Sequence, residues 1–114
     1  MEKVEAVIRS SQLYKVQEAL AELGIGGMTV SEVKGMGAQK GEVTGGGRPG
    51  TFRGSSLNAK TKIEIVCEES ETEPVVDTIK KNAHTGSVGD GKIFIFDVKD
   101  SIRIRTGERG NKAV

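Results

Sequence analysis

The 114-residue chain has one cysteine, no tryptophan, one tyrosine, three phenylalanines and two prolines. A single thiol, Cys67, excludes an internal disulfide. It sits in an alternating apolar pattern, which assigns it to the core rather than to catalysis. The one histidine, His84, has no cysteine or carboxylate cluster at metal-ligand spacing. It reads as a solvated residue in the last turn of a helix. There is no Ser–His or Cys–His constellation and no repeated carboxylate pair, so nothing supplies a nucleophile and the chain reads as a non-enzyme. The net charge of +1 is too small for bulk nucleic-acid binding. No apolar run reaches membrane length and no signal-peptide core is present, so the expected location is the cytoplasm. The length suits one domain, residues 1–114, with a modest core.

What is present falls into two similar halves. Lys3 to Arg9 alternates, with Val4, Ala6 and Ile8 on one face and Lys3, Glu5, Val7 and Arg9 on the other, so a first strand is expected. Ser10 or Ser11 offers a helix N-cap. Leu13, Val16, Leu20 and Leu23 then form one apolar helical stripe, and Gly24 suits the helix stop. A second strand is expected from Met28 to Lys34. In the second half Thr61 to Glu68 alternates, with Ile63, Ile65 and Cys67 on one face. Ser70 with Glu73, or Thr72, caps the next helix with Pro74 in its first turn. Val75, Val76, Ile79 and Ala83 make its stripe, Gly86 ends it, and Lys92 to Val98 is the fourth strand. Two βαβ halves give βαββαβ, the α+β ferredoxin-like sandwich with both helices on one face of an antiparallel sheet. The opposite face carries Val7, Val66, Phe94 and Phe96, and an apolar outer face calls for a partner, hence an oligomer.

Eleven of the 16 glycines lie between Gly24 and Gly54. Gly41 to Asn58 has almost nothing apolar to bury, so Gly35 to Ala59 reads as a long mobile loop, with its centre at about 37–59. Loops of that length inside a compact domain are functional or disordered. The glycine turn Thr85-Gly86-Ser87-Val88-Gly89-Asp90-Gly91-Lys92 leads into the apolar run Ile93-Phe94-Ile95-Phe96, which reads as a buried strand. Glycines let backbone N–H groups approach an anion, and Lys92 adds a positive charge, so a phosphate is one natural ligand. A tight turn before a core strand, with Lys92 solvated, is the alternative. Arg103-Ile104-Arg105, read as a strand, puts two further cations on one face and favours phosphate. An RNA-recognition sheet would need stacking aromatics, and only Phe94 and Phe96 are available, without the accompanying signature.

The motifs Gly27-Met28-Thr29-Val30, Gly35-Met36-Gly37, Gln39-Lys40-Gly41, Thr85 through Phe94 and Ile102-Arg103-Ile104-Arg105-Thr106-Gly107-Glu108 resemble the PII signal-transduction proteins of nitrogen regulation. The resemblance spans the chain except Glu42 to Asn58. It implies a non-catalytic homotrimer that binds adenine nucleotides, ATP, ADP or AMP, between subunits. It further implies a T-loop that contacts a target transporter or enzyme, so that any membrane association is indirect. The nucleotide positions it implies are Val7, Gly27, Met28, Thr29, Gly35, Gly37, Gln39, Lys40, Glu64, Val66, Gly89, Asp90, Gly91, Lys92, Arg103 and Arg105. For Mg-ATP-dependent 2-oxoglutarate binding it implies Arg9, Gln39, Gly41, Lys60 and Gly89, with Gln39 as the Mg ligand and Lys60 pairing the far carboxylate.

Two departures stand out. Ala38 takes the place where the family commonly has an arginine reaching the terminal phosphate, which favours ADP or AMP relative to ATP. The loop has no tyrosine; the only one, Tyr14, lies in the first helix. Phe52-Arg53-Gly54-Ser55 echoes the family's tip and makes Ser55 and Ser56 candidate modification sites, against the simpler reading of solvated loop serines. The altered loop also admits an alternative: a PII-like adenylate sensor acting on carbon or bicarbonate uptake, or another target, without sensing 2-oxoglutarate.

Overall fold

The computed structural model describes residues 1–36 and 57–114, with the side chains of Met36 and Leu57 not described. Strand β1 (Glu2–Arg9) leads through a 3-10 turn (Ser10–Gln12) into helix α1 (Leu13–Leu23) and strand β2 (Thr29–Met36). Strand β3 (Leu57–Cys67), helix α2 (Glu69–Ala83) and strand β4 (Gly91–Asp97) repeat the pattern, and a 3-10 turn (Gly110–Ala113) closes the chain. The order across the sheet is β2-β3-β1-β4, and every pairing is antiparallel. This is the expected βαββαβ sandwich. Among the described residues no helix is long and apolar enough to cross a membrane.

Strict alternation on β1 and β3 builds the core. Val4, Ala6 and Ile8 interlock with Ile63, Ile65 and Cys67 beneath Val16 and Leu20 of α1 and Val75, Ile79 and Ala83 of α2, all of them buried. Burial pushes the Cys67 thiol pKa up, which suits an inert core thiol. Leu23, expected on the stripe, is instead exposed at the last position of α1, while Ile25 beyond the Gly24 stop packs against the core. Gly24 has the left-handed φ of 96° and donates to the Ala21 carbonyl, so this stop is the one its glycine predicts.

Several caps differ from expectation. Neither Ser10 nor Ser11 caps α1; both belong to the 3-10 turn, and the N-cap is Gln12 without a side-chain bond. For α2 the capping box is Glu68 with Glu71, two residues earlier than Ser70 with Glu73. Thr72 is therefore inside the helix, buried, and its hydroxyl donates to Glu2 Oε1 at 2.7 Å. Pro74 lies inside the helix rather than in its first turn. The helix stops at Ala83, with His84 extended just beyond it, before Gly86 is reached.

The loop is bounded more tightly than Gly35 to Ala59. β2 and β3 stay paired out to Met36 opposite Leu57, with Gly35 opposite Asn58 and Lys34 opposite Ala59. Of the expected mobile centre, about 37–59, residues 57–59 are paired strand, and residues 37–56 lie outside the described residues. β4 is also not the buried strand its apolar run suggests. It is a sheet edge, and Phe94, Ile95 and Phe96 are each 44–46% exposed, so the run lies open on both faces.

Candidate functional site

The turn between α2 and β4 is built around one carboxylate. Asp90 Oδ2 accepts from the Thr85 amide at 2.7 Å and the Gly86 amide at 3.0 Å. Asp90 Oδ1 accepts from the Thr85 hydroxyl and from Arg9 Nε at 3.0 Å. The Thr85 hydroxyl foremost, then the Thr85 amide, Arg9 and Gly86, hold the Asp90 carboxyl well below the usual range. Gly91 then admits the chain into the sheet: its φ is +103°, and a Cβ there would fall 1.7 Å from the Val7 carbonyl oxygen. No other residue fits that approach.

This turn separates two clefts. The polar one, about 310 Å³, is lined by Arg9, Ser10, Ser11, Asn58, Ala59, Lys60, Val88 and Gly89. Arg9 and Lys60, its cations among the described residues, both reach the turn: Arg9 Nη2 donates to the Val88 carbonyl at 2.6 Å, and Lys60 Nζ to the Gly89 carbonyl at 2.5 Å. The second cleft, about 340 Å³, has a largely apolar wall of Ile8, Val76, Ile79, Ala83 and Ile93 beside Lys80, His84 and Asp90 to Lys92.

The outer face of the sheet supplies further groups. Register places Val7 between Lys62 of β3 and Lys92 of β4: the β1–β3 register sets Lys62 beside Val7, and the β1–β4 register puts Lys92 on the other side of Val7. One row further, Thr29 lies opposite Glu64, and Glu64 opposite Glu5. Lys3 bridges both carboxylates, 3.3 Å from Glu5 and 3.2 Å from Glu64, and lies 4.7 Å from the Phe96 ring centroid. The Glu64 hydrogen bond leads in raising the Lys3 pKa. This face is therefore mixed: Val7, Val66, Phe94 and Phe96 surround an ion triad.

Arg103 and Arg105 do not lie on a strand. Only Ile102 forms a bridge, to Arg109, and residues 104–106 are a turn. The Gly107 amide reaches back to the Arg103 carbonyl at 2.7 Å, and Gly107 takes a positive φ of 76°, which reverses the chain. Arg103 is bonded to Glu108 Oε1 at 2.8 Å and to the Lys112 carbonyl at 3.1 Å. Asp100 closes the loop with Arg109 at 2.7 Å; the Ser101 amide, then Arg109, lower its pKa.

Of the candidate residues, the fold gathers Arg9, Lys60 and Gly89 in one cleft and puts Asp90, Gly91 and Lys92 on the adjoining turn. Val7, Thr29, Glu64 and Val66 share the outer face. Gly27 and Met28 precede β2, Met28 packing against the core, and Gly35 lies near the end of β2. Gly37, Gln39, Lys40, Gly41, Ser55 and Ser56, like Ala38, lie outside the described residues. Among the described residues no group of three or more His, Cys, Asp or Glu is placed to hold a metal.

The whole-chain comparisons agree with the fold. The family model "Nitrogen regulatory protein P-II" matches residues 1–108. Nitrogen regulatory protein P-II 1 of Escherichia coli K12 is 48% identical over 118 aligned positions that cover all of both chains. An Arabidopsis thaliana P-II homolog is 49% identical over 113 positions, spanning 97% of this chain and 56% of that protein. The crystal structure of Arabidopsis thaliana PII bound to citrate superposes with a TM-score of 0.81 at 42% identity, covering 99% of this chain and 91% of that one. The chain belongs to the nitrogen regulatory protein P-II family, whose members are regulators.

Proposed function

We propose that the chain is a homotrimeric sensor that binds adenine nucleotide between subunits and a small multivalent carboxylate beside it. Residues 37–56 would relay the bound state to a target transporter or enzyme of nitrogen metabolism. The observation that carries this reading is the Thr85–Lys92 turn. Its glycines bring backbone close to the sheet end, Lys92 is exposed with no ion pair among the described residues, and two more cations converge on its far side. Such a cluster of backbone donors and cations suits a polyphosphate, while Arg9 and Lys60 suit carboxylates. A PII relative was crystallised with citrate, a ligand of that second kind. Arg103 and Arg105, on the C-terminal turn, would join the phosphate site from a neighbouring subunit.

Calorimetric titration with ATP, ADP and AMP, with and without Mg²⁺ and 2-oxoglutarate, tests the reading. Binding of at least one adenylate is expected, with ADP or AMP favoured relative to ATP because of Ala38. Lys92→Ala should weaken binding about tenfold or more, as loss of a charge-assisted bond does. No adenylate binding at all would overturn the reading. The loop sequence, lacking tyrosine, favours a second reading in which the target belongs to carbon or bicarbonate uptake; adenylate binding indifferent to 2-oxoglutarate would support it.

A further inference from the structure

We infer that Asp90 is a positioning residue that ties the Arg9–Lys60 cleft to the glycine turn and touches no ligand itself. Four donors converge on its two oxygens: the Thr85 hydroxyl and Arg9 Nε on Oδ1, the Thr85 and Gly86 amides on Oδ2. A carboxylate offers about four lone-pair sites, so none remains for a ligand hydroxyl or a cation. A phosphate set against it would also meet like charge.

What Asp90 does is geometric. Its donors come from two segments far apart in sequence, the turn and the end of β1, 81 positions away. Arg9 touches the turn again at the Val88 carbonyl, and Lys60 touches it at the Gly89 carbonyl. Both cations of the polar cleft thus donate to the same turn that leads to Lys92. An anion entering the cleft competes with the Val88 and Gly89 carbonyls for these donors. Asp90 keeps Arg9 Nε in place during that exchange, so the guanidinium stays at the cleft mouth and the change at Val88 and Gly89 is passed to the turn. The coupling is reciprocal, as any linkage between two sites must be. In its ligand consequence the inference rests on the proposed effector binding; its claim about the free protein does not.

The test uses the full chain and the variants Asp90→Asn, Arg9→Met and the double variant, each checked for folding by thermal melting. Amide hydrogen exchange is followed first without ligand. Arg9→Met should speed exchange at Thr85 and Gly86 by about threefold or more, although Arg9 bonds to neither amide. Unchanged exchange would overturn the inference. Citrate is then the probe of the cleft: it should alter exchange at these amides in the wild type and leave them indifferent in Asp90→Asn. An equal response in both proteins would also overturn it. In ATP titration Asp90→Asn should weaken binding roughly tenfold, yet add less than about twofold in the Arg9→Met background. Fully additive losses would mean that Asp90 acts on ATP directly. A wild type that binds no ATP would defeat the proposed function, while the exchange results would still decide the role of Asp90. If Asp90→Asn does not fold, Arg9→Met alone carries the decisive measurement.

Discussion

The two faces of the sheet answer the same alternation in opposite ways. Under the helices, Val4, Ala6 and Ile8 meet Ile63 and Ile65, and each is at most 2% exposed. On the other face Val66, Phe94 and Phe96 remain 36–46% exposed around the Lys3 triad. The first face is completed by the chain itself. The second has large apolar groups close together beside a Lys3 triad whose charges pair with one another. A face of that composition is suited to a second protein surface, in keeping with the proposed trimer. One strand can thus build the core with alternate residues and offer the residues between them to a second surface.

The strongest way to test that division is to cut into each face. Ile63→Ala empties a fully buried position beneath both helices and should cost about 2–5 kcal/mol, read from urea melts. Phe94→Ala combined with Phe96→Ala should cost less folding stability, because half of each ring already faces water. Its main effect should be on mass: sedimentation should show the proposed trimer giving way to smaller species. If the double variant keeps its mass and melts as poorly as Ile63→Ala, the two faces are not distinct in role.

A smaller effect lies at the start of α2. Glu71→Ala removes the carboxylate that accepts from the Glu68 amide at 3.3 Å and should lower stability by roughly 0.5–1.5 kcal/mol, without changing mass. Ser70→Ala, at the position the bare sequence favours, should do less. Equal losses at the two sites would restore Ser70 as a cap.

The parts of this fold that were legible in sequence are those governed by period. The alternation of Val4, Ala6 and Ile8 and the stripe through Val16 and Leu20 placed β1, α1 and most of the core. The turn at Gly89 to Lys92 was legible from composition, and the family motifs around it narrowed its reading. Properties set by neighbours were not. β4 is as apolar as a buried strand, and nothing in Ile93-Phe94-Ile95-Phe96 states that it will be an edge; only the order β2-β3-β1-β4 does. Arg103 and Arg105 alternate like strand residues, but Gly107 draws the chain back on itself. The caps at Gln12 and Glu68 were missed because several Ser, Thr and Glu compete at each helix start, and docking against the sheet selects among them. Asp90 was singled out as a ligand position, whereas its ties to Arg9 and Thr85 become visible only once β1 and the turn are brought together.

The smallest expected effect is confined to acid and separates the turn from both faces. Asp90 has its carboxyl pKa lowered from an ordinary value near 3.8, chiefly by the Thr85 hydroxyl and amide. For a carboxyl whose folded pKa is depressed, the stabilising contribution is fully present above the unfolded pKa. It is lost as the pH falls through the folded one. Wild-type stability should therefore be flat in this contribution from pH 7 to about 5 and decline below about 4. Asp90→Asn has no such carboxyl, so its stability should fall less steeply over the same acid range while being lower throughout. Ile63→Ala should instead shift the whole curve down and keep its acid slope, since an aliphatic core position binds no proton. Parallel curves for wild type and Asp90→Asn below pH 4 would mean that the Thr85 and Arg9 bonds do not favour the ionised carboxylate in solution. The turn would then owe its shape to its glycines alone.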